Sequence, residues 1–345
     1  MGDKNMRIDQ LIPSMRHGSD IGDMVLVVHK LLGQLGYQSE VFTESAPAKG
    51  RENCIYHMLS GSSPGKALAG LKLKRTILFY HGMMPAESIT GPGLQAHRDN
   101  CRRELRKLKN HFSYALTTTN YLAEDLQEAG YQPVAILPMP LDLQEYNRYP
   151  HQKLLRQYRD DHTNILFVGP IVPNRKLENT ISVFNYYHKK INPRSRLFLV
   201  GNFSAHPDYC QKLLGYIKEL EIKNVFMTGR VSFRQLLSYY RLSRVFLSLS
   251  QYEGFSIPLV EAMYMKVPVI ALNRAAVPEI LGGAGCLIDD DDVRNTARLL
   301  DDIVNDRGRR HEIIRRQSQR ARDFLPEKVL PMYRMAIKEA CRFGY

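Results

Sequence analysis

At 345 residues and 44% apolar composition, the chain is long enough for two ordinary domains with cores. No apolar run comes near the roughly 18 residues that read as a membrane-spanning helix. The formal net charge of +13 predicts an anionic partner: nucleotide phosphates, an acidic membrane or nucleic acid.

The N-terminal stretch from Met1 to Arg7 is polar and lacks the apolar region of a signal peptide. Met6 stands where myristoylation of Gly2 would need Ser or Thr. Cys54, Cys101, Cys210, Cys286 and Cys341 are scattered, and no pair has metal-ligand or redox spacing. The expectation is a reduced, cytoplasmic protein.

The first half is expected to open with a strand over Arg7–Ser14, a loop over Met15–Asp23, a helix to Leu35 and a second strand ending at Phe42. Strands are then predicted at Cys54–Leu59, Thr76–His81, Tyr114–Thr118 and Val134–Leu137. The polar stretch from Pro138 to His162 reads as a hinge, with a domain boundary near 140–163. The second half alternates more clearly. Strands are predicted at Asn164–Gly169, Arg196–Gly201, Asn224–Gly229, Val245–Ser250 and Pro268–Leu272. Helices are predicted at Leu177–Ile191, Asp208–Glu221, Phe233–Leu242, Pro258–Met265 and Asp292–Asn305. Near-continuous apolar strands alternating with helices predict a parallel α/β sheet covered on both faces. A last amphipathic helix, Glu327–Cys341, has no strand after it, so it can cross back onto the first domain. The expected organisation is 1–150, 151–325 and a final helix over 326–345.

Three clusters carry the positive charge: His97–His111, Lys72–Arg75 and Arg307–Arg322. The first and third read as basic amphipathic helices, either solvated or lying on an anionic membrane. No recognition motif or interleaved aromatic run supports nucleic acid.

Residues 253–261, Glu-Gly-Phe-Ser-Ile-Pro-Leu-Val-Glu, are the most informative stretch. Glu253 sits where a strand ends and Glu261 about one turn inside the next helix. Pro258 suits a first helical turn, and Gly254 allows close approach of the backbone to a ligand. The turn's N–H groups and the positive helix end favour an anion such as phosphate. A strand–glycine–helix unit with a first-turn Glu also occurs without function.

The ordered series Phe167-Val-Gly169 with Arg175-Lys176, Leu199-Val-Gly201, Thr228-Gly229, Glu253-Gly-Phe-Ser256 with Glu261-Ala262, and Val277-Pro-Glu279 resembles the retaining glycosyltransferases of family 4. The resemblance spans nearly the whole chain, loosely in the first half, where Asp20-Ile-Gly-Asp23 takes the glycine-loop position. It implies a GT-B fold, with two Rossmann-like domains facing across a nucleotide-sugar cleft. It implies that Glu261 binds the nucleotide ribose and that Glu253 positions the donor sugar. Gly254, Phe255 and Ser256 would approach sugar and diphosphate, and Gly22 and Arg230 join the donor-binding set. His81 is implied near the anomeric centre, with His17 and His57 as weaker candidates, and Arg16 is placed beside Gly22 at the diphosphate or sugar. Arg175 and Lys176 would neutralise the leaving diphosphate. No metal and no cofactor are implied, because the nucleoside-diphosphate sugar is the donor substrate.

The implied partners are a glycan or lipid-linked acceptor, as in envelope polysaccharide synthesis, and an anionic membrane surface on the inner face. Pro170 departs from the pattern, which expects Arg there. That departure motivates one alternative, a catalytically weak nucleotide- or glycan-binding partner subunit. A second, independent of Pro170, is a GT-B enzyme of another reaction type, such as a nucleotide-sugar epimerase or a phosphorylase.

Overall fold

The computed structural model describes residues 6–13, 20–45, 53–58, 73–82, 102–204 and 206–342. Arg16, His17, Lys72 and the start of the first basic cluster lie outside them. The chain forms two compact units: 1–86 with 91–141 and 324–345, and 142–323 with 87–90.

Among the described residues the first unit holds six parallel strands, β1 (Asp9–Ile12), β2 (Val41–Thr43), β3 (Asn53–Met58), β4 (Arg75–Tyr80), β5 (Tyr114–Thr117) and β6 (Val134–Ile136). Their order is β2-β1-β3-β4-β5-β6. β1, β3 and β5 are buried at every position, as unalternating apolar runs require of strands covered on both faces. The last helix, Pro326–Ala340, belongs to this unit. Its Glu339 accepts from the Tyr114 hydroxyl at 2.8 Å, and its Tyr333 hydroxyl donates to the Leu137 carbonyl at 3.4 Å.

The second unit also holds six parallel strands, β7 (Thr163–Val168), β8 (Ser195–Val200), β9 (Val225–Gly229), β10 (Val245–Ser248), β11 (Val269–Leu272) and β12 (Cys286–Ile288). Their order is β12-β11-β10-β7-β8-β9. Both orders reverse once inside the sheet, between β1 and β3 in the first unit and between β7 and β10 in the second. Open α/β sheets bind ligands at such reversals, beyond the carboxyl ends of the strands.

Three expectations are corrected. Asp20–Asp23 is not loop: the helix Asp20–Gln34 begins there, and Gly22 is buried in its first turn. The segment 140–163, expected as a polar hinge, holds the 141/142 division between the units and is not structureless. Its Leu143 and Leu154 are buried, and it folds as a 3-10 turn, Leu143–Asn147, and a helix, Gln152–Tyr158. The basic helix Arg307–Ala321 is not simply a solvated face. Arg316 donates to the Gly283 carbonyl, and Arg320 to those of Ile280 and Glu279 at 3.0 and 2.8 Å. These contacts satisfy carbonyls at the end of the helix Val277–Leu281, where positive charge is favoured. Strand β12 and the helix Asn120–Glu128 were not foreseen.

Candidate active site

In the second unit the reversal of strand order places the end of β7 beside the end of β10. On the other side of β7, where β8 ends, the backbone is crowded. A Cβ on Gly201 would meet the Gly169 carbonyl oxygen at 1.7 Å, so no side chain fits at Gly201. Gly201→Ala is expected to lower the urea midpoint of unfolding markedly, because backbone has to move; a midpoint equal to wild type would contradict this packing.

After Gly169 and Pro170 the chain runs through a 3-10 turn, Pro173–Arg175, to Lys176, which is left-handed at φ 47° and starts the helix Leu177–Tyr186. This loop is tied to the one after β10 twice. The Gln251 N–H donates to the Asn174 carbonyl at 3.1 Å, and Arg175 forms an ion pair with Glu253. Side-chain exposure is 11% for Arg175 and 3% for Glu253, so the pair is desolvated. The Glu253 carbonyl in turn accepts from the Ala276 N–H at 3.2 Å, just before the helix Val277–Leu281.

Glu261 lies in the helix Ile257–Tyr264, which has Ser256 as its N-cap and Pro258 in its first turn. Its carboxylate is buried and accepts from two tyrosines, Tyr146 through Oε1 and Tyr240 through Oε2, the latter at 2.6 Å. Burial, and then the Glu261 charge, hold both phenols protonated, well above their ordinary range. Tyr146 stands edge-on to Phe233, with centroids 5.1 Å apart.

Gly254 and Phe255 are half-buried between the two glutamates, and Ser256 is buried. Arg230 follows β9 at the same edge of the sheet. It is exposed and makes no hydrogen bond or ion pair with either glutamate among the described residues. The unit thus brings Arg175, Glu253 and the 254–256 turn together, with Glu261 one helical turn on. Tyr146 and Tyr240 were not foreseen. Nothing in their sequence neighbourhoods separates them from other core tyrosines.

In the first unit the candidate His81 directly follows β4 and does not stand alone. His57 Nδ1 lies 2.8 Å from His81 Nε2, and His57 Nε2 lies 2.9 Å from Gln10 Oε1. With the amide oxygen of Gln10 facing it, His57 donates from Nε2 and accepts at Nδ1 from His81 Nε2–H. His81 Nδ1 is then an acceptor, buried and without a hydrogen-bond partner among the described residues. Both rings stack with Phe79, at 5.4 and 4.7 Å between centroids. Burial pushes His81 down to about 3. His57 falls well below its ordinary value, first through burial and then because a second protonated imidazole beside His81 would be repelled. Both rings are therefore neutral.

That neutrality has a measurable sign. An unfolded chain takes protons on these rings below about pH 6.5, and the folded rings refuse them. Stability is therefore expected to fall as pH drops from about 6.5 toward 3, by up to ~1.4 kcal/mol per pH unit per ring. Urea midpoints at about pH 7 and pH 5 check this. The wild-type drop exceeds that of His57→Gln, whereas equal drops would contradict a neutral buried pair.

Residues 156–320 match the family model described as Glycosyl transferases group 1. The O-antigen chain mannosyltransferase B of Escherichia coli is 28% identical over 148 residues, covering 41% of this chain and 37% of that protein. The chain spans well under two thirds of the length of the curated relatives it matches. Among solved structures, sucrose-phosphate synthase from Thermosynechococcus elongatus aligns with a TM-score of 0.79 at 15% identity, covering 97% of this chain and 99% of that one. The Anabaena protein Alr3699/HepE in complex with UDP-glucose aligns with a TM-score of 0.76 at 14% identity, covering 98% and 100%. At such identities the structures speak for the fold alone. The chain therefore has the GT-B type of α/β fold, two parallel six-stranded sheets with helices, and its residues 156–320 match the glycosyl transferases group 1.

Proposed function

We propose that this protein is a retaining, metal-independent glycosyltransferase. It moves a sugar from a nucleoside-diphosphate donor to a glycan or lipid-linked acceptor in envelope polysaccharide synthesis. One observation carries the reading. The segment that matches the family also brings Arg175, Glu253 and the 254–256 turn together at the strand reversal of its sheet, with Glu261 one helical turn beyond. The mannosyltransferase relative and the UDP-glucose complex of the Anabaena protein supply the class of reaction and of donor.

In this reading Glu261 accepts from the vicinal ribose hydroxyls, on the carboxylate that now accepts from Tyr146 and Tyr240. Glu253, held by Arg175, orients the donor sugar. The N–H groups of Gly254, Phe255 and Ser256 approach sugar and diphosphate, with Arg230 and, in the first unit, Gly22 assigned to the same donor. Negative charge grows on the diphosphate as the glycosidic bond breaks, and Arg175 and Lys176 stabilise it. The sugar passes through an oxocarbenium-like state. The acceptor hydroxyl enters on the face the diphosphate leaves and gives its proton to a phosphate oxygen. Glu253 is already paired with Arg175, so it serves as a positioning group rather than as a free base. His81 is assigned to the sugar side, its neutral Nδ1 accepting from a hydroxyl.

The test is an NMR assay of the full chain with UDP-, GDP- and ADP-hexoses and a glycan acceptor. Acceptor-dependent release of one nucleoside diphosphate, with an axial donor bond giving an axial product, is expected. Turnover of donor alone to an isomeric donor would make the protein an epimerase and overturn the proposal. Pro170 and the pairing of Arg175 with Glu253 favour one second reading, a nucleotide-binding partner with little activity. Tight nucleoside-diphosphate binding without transfer, restored by Pro170→Arg, would select it.

The anionic membrane partner rests on the basic helical residues 102–108. There Leu105 and Leu108 are buried, while Arg103, Arg106 and Lys107 are exposed. No helix among the described residues is long and apolar enough to cross a membrane.

A further inference from the structure

A second concentration of charge lies at the other edge of the second unit's sheet. The strands of that sheet are parallel, so the starts of β7, β10 and β11 share the edge opposite Gly169 and Glu253. A cavity of about 700 Å³ opens there, and Arg241, Arg244, Lys266 and Arg310 all line it. Its wall also carries Asp160 and Asp161, but each has an arginine of its own. Asp160 is held by Arg196 through two bonds of 2.8 and 2.5 Å, and Asp161 lies 3.5 Å from Arg194. Among the described residues no carboxylate is within ion-pair distance of Arg241, Arg244, Lys266 or Arg310.

The arrangement is built rather than incidental. Arg310 is anchored by donating Nη1 to the Arg244 carbonyl, which keeps two guanidinium-bearing residues side by side. Burial and the Arg244 charge lower the Arg310 guanidinium to about 10. Lys266 has a left-handed backbone (φ 61°) just past Met265, the C-cap of the helix Ile257–Tyr264, and its N–H donates to the Met263 carbonyl at 3.3 Å. Arg310 is the partly buried member of the group, and the like charges gathered around it repel one another. An anion with several oxygens relieves that repulsion, and guanidinium groups match phosphate geometry bidentately.

We propose that this recess is a second anion site, one that binds a phosphate group and is separate from the site around Glu253. The group belongs either to a soluble phosphorylated ligand or to a phospholipid headgroup. The second source would make the recess, with the helix Arg307–Ala321 that carries Arg310, a seat on an anionic membrane.

Arg244 and Lys266 are both exposed, so Arg244→Gln/Lys266→Gln leaves the core intact. Inorganic pyrophosphate is titrated calorimetrically into the full chain. Two classes of site are expected in the wild type. The double variant loses one of them, with its dissociation constant raised roughly tenfold or more. Arg175→Gln weakens the other class instead. In a parallel arm, phosphatidylglycerol vesicles are compared with phosphatidylcholine vesicles in a pelleting assay. Weaker pelleting of the double variant with the anionic vesicles identifies a headgroup, and a change confined to pyrophosphate identifies a soluble phosphate. Pyrophosphate and vesicle binding that both match the wild type in the double variant would overturn the proposal.

Discussion

Glu253→Gln is expected to destabilise the fold by about 3 kcal/mol and to abolish measurable transfer. The carboxylate and the Arg175 guanidinium are both nearly excluded from water. Neutralising one partner of a buried pair leaves the other as an uncompensated charge, and that costs more than the intact pair contributes. Urea unfolding at neutral pH measures the first effect. Arg175→Met combined with Glu253→Gln should recover much of the loss, because no stranded charge remains. A loss below about 0.5 kcal/mol in the single variant would mean that the pair is solvated. The second effect follows from the proposed function, since the same carboxylate orients the donor sugar.

Glu261→Ala is expected to remove nucleoside-diphosphate binding. A ligand at a hundred times its dissociation constant stabilises a protein by about 2.7 kcal/mol, so a thermal-shift panel of UDP, GDP and ADP identifies the base in the wild type. The variant should show no shift. It also leaves the buried Tyr240 hydroxyl without its carboxylate acceptor, a further loss of roughly 1–3 kcal/mol in the unliganded protein. Glu261→Gln separates the two effects. Its amide oxygen still accepts from one phenol, so most stability stays, while the ribose loses a charged acceptor. An unchanged nucleotide shift in both variants would remove Glu261 from the ribose site.

Much of this site could be read from the chain. The apolar run into Ser248, the glycine of the turn and Pro258 fix a strand, a turn and a helix start locally, and the two glutamates ride on that frame. The strands that feed the site were read to within one or two residues, because continuous apolar runs bounded by glycine admit few other structures. What lies around the carboxylates was not legible. Tyr146 comes from a segment that reads as polar linker, 115 positions before Glu261, and only tertiary packing brings them together. The chain from Gln10 through His57 to His81 likewise joins two strand positions and the residue after a third strand, which no local pattern connects. β12 has three residues after a glycine-rich turn, too few to show a period. Asp20–Asp23 carries turn-forming residues and reads as loop, whereas the first helix begins at Asp20.

The central claim is that the nucleotide sits on the carboxylate of Glu261, with its diphosphate toward Arg175. A crystal structure of the chain with the tightest-binding nucleoside diphosphate tests it most directly. The account predicts ribose hydroxyls within hydrogen-bond distance of Glu261 and phosphate oxygens near Arg175, Lys176 and the N–H groups of 254–256. A nucleotide bound elsewhere, with Glu261 still accepting only from protein hydroxyls such as those of Tyr146 and Tyr240, would contradict it.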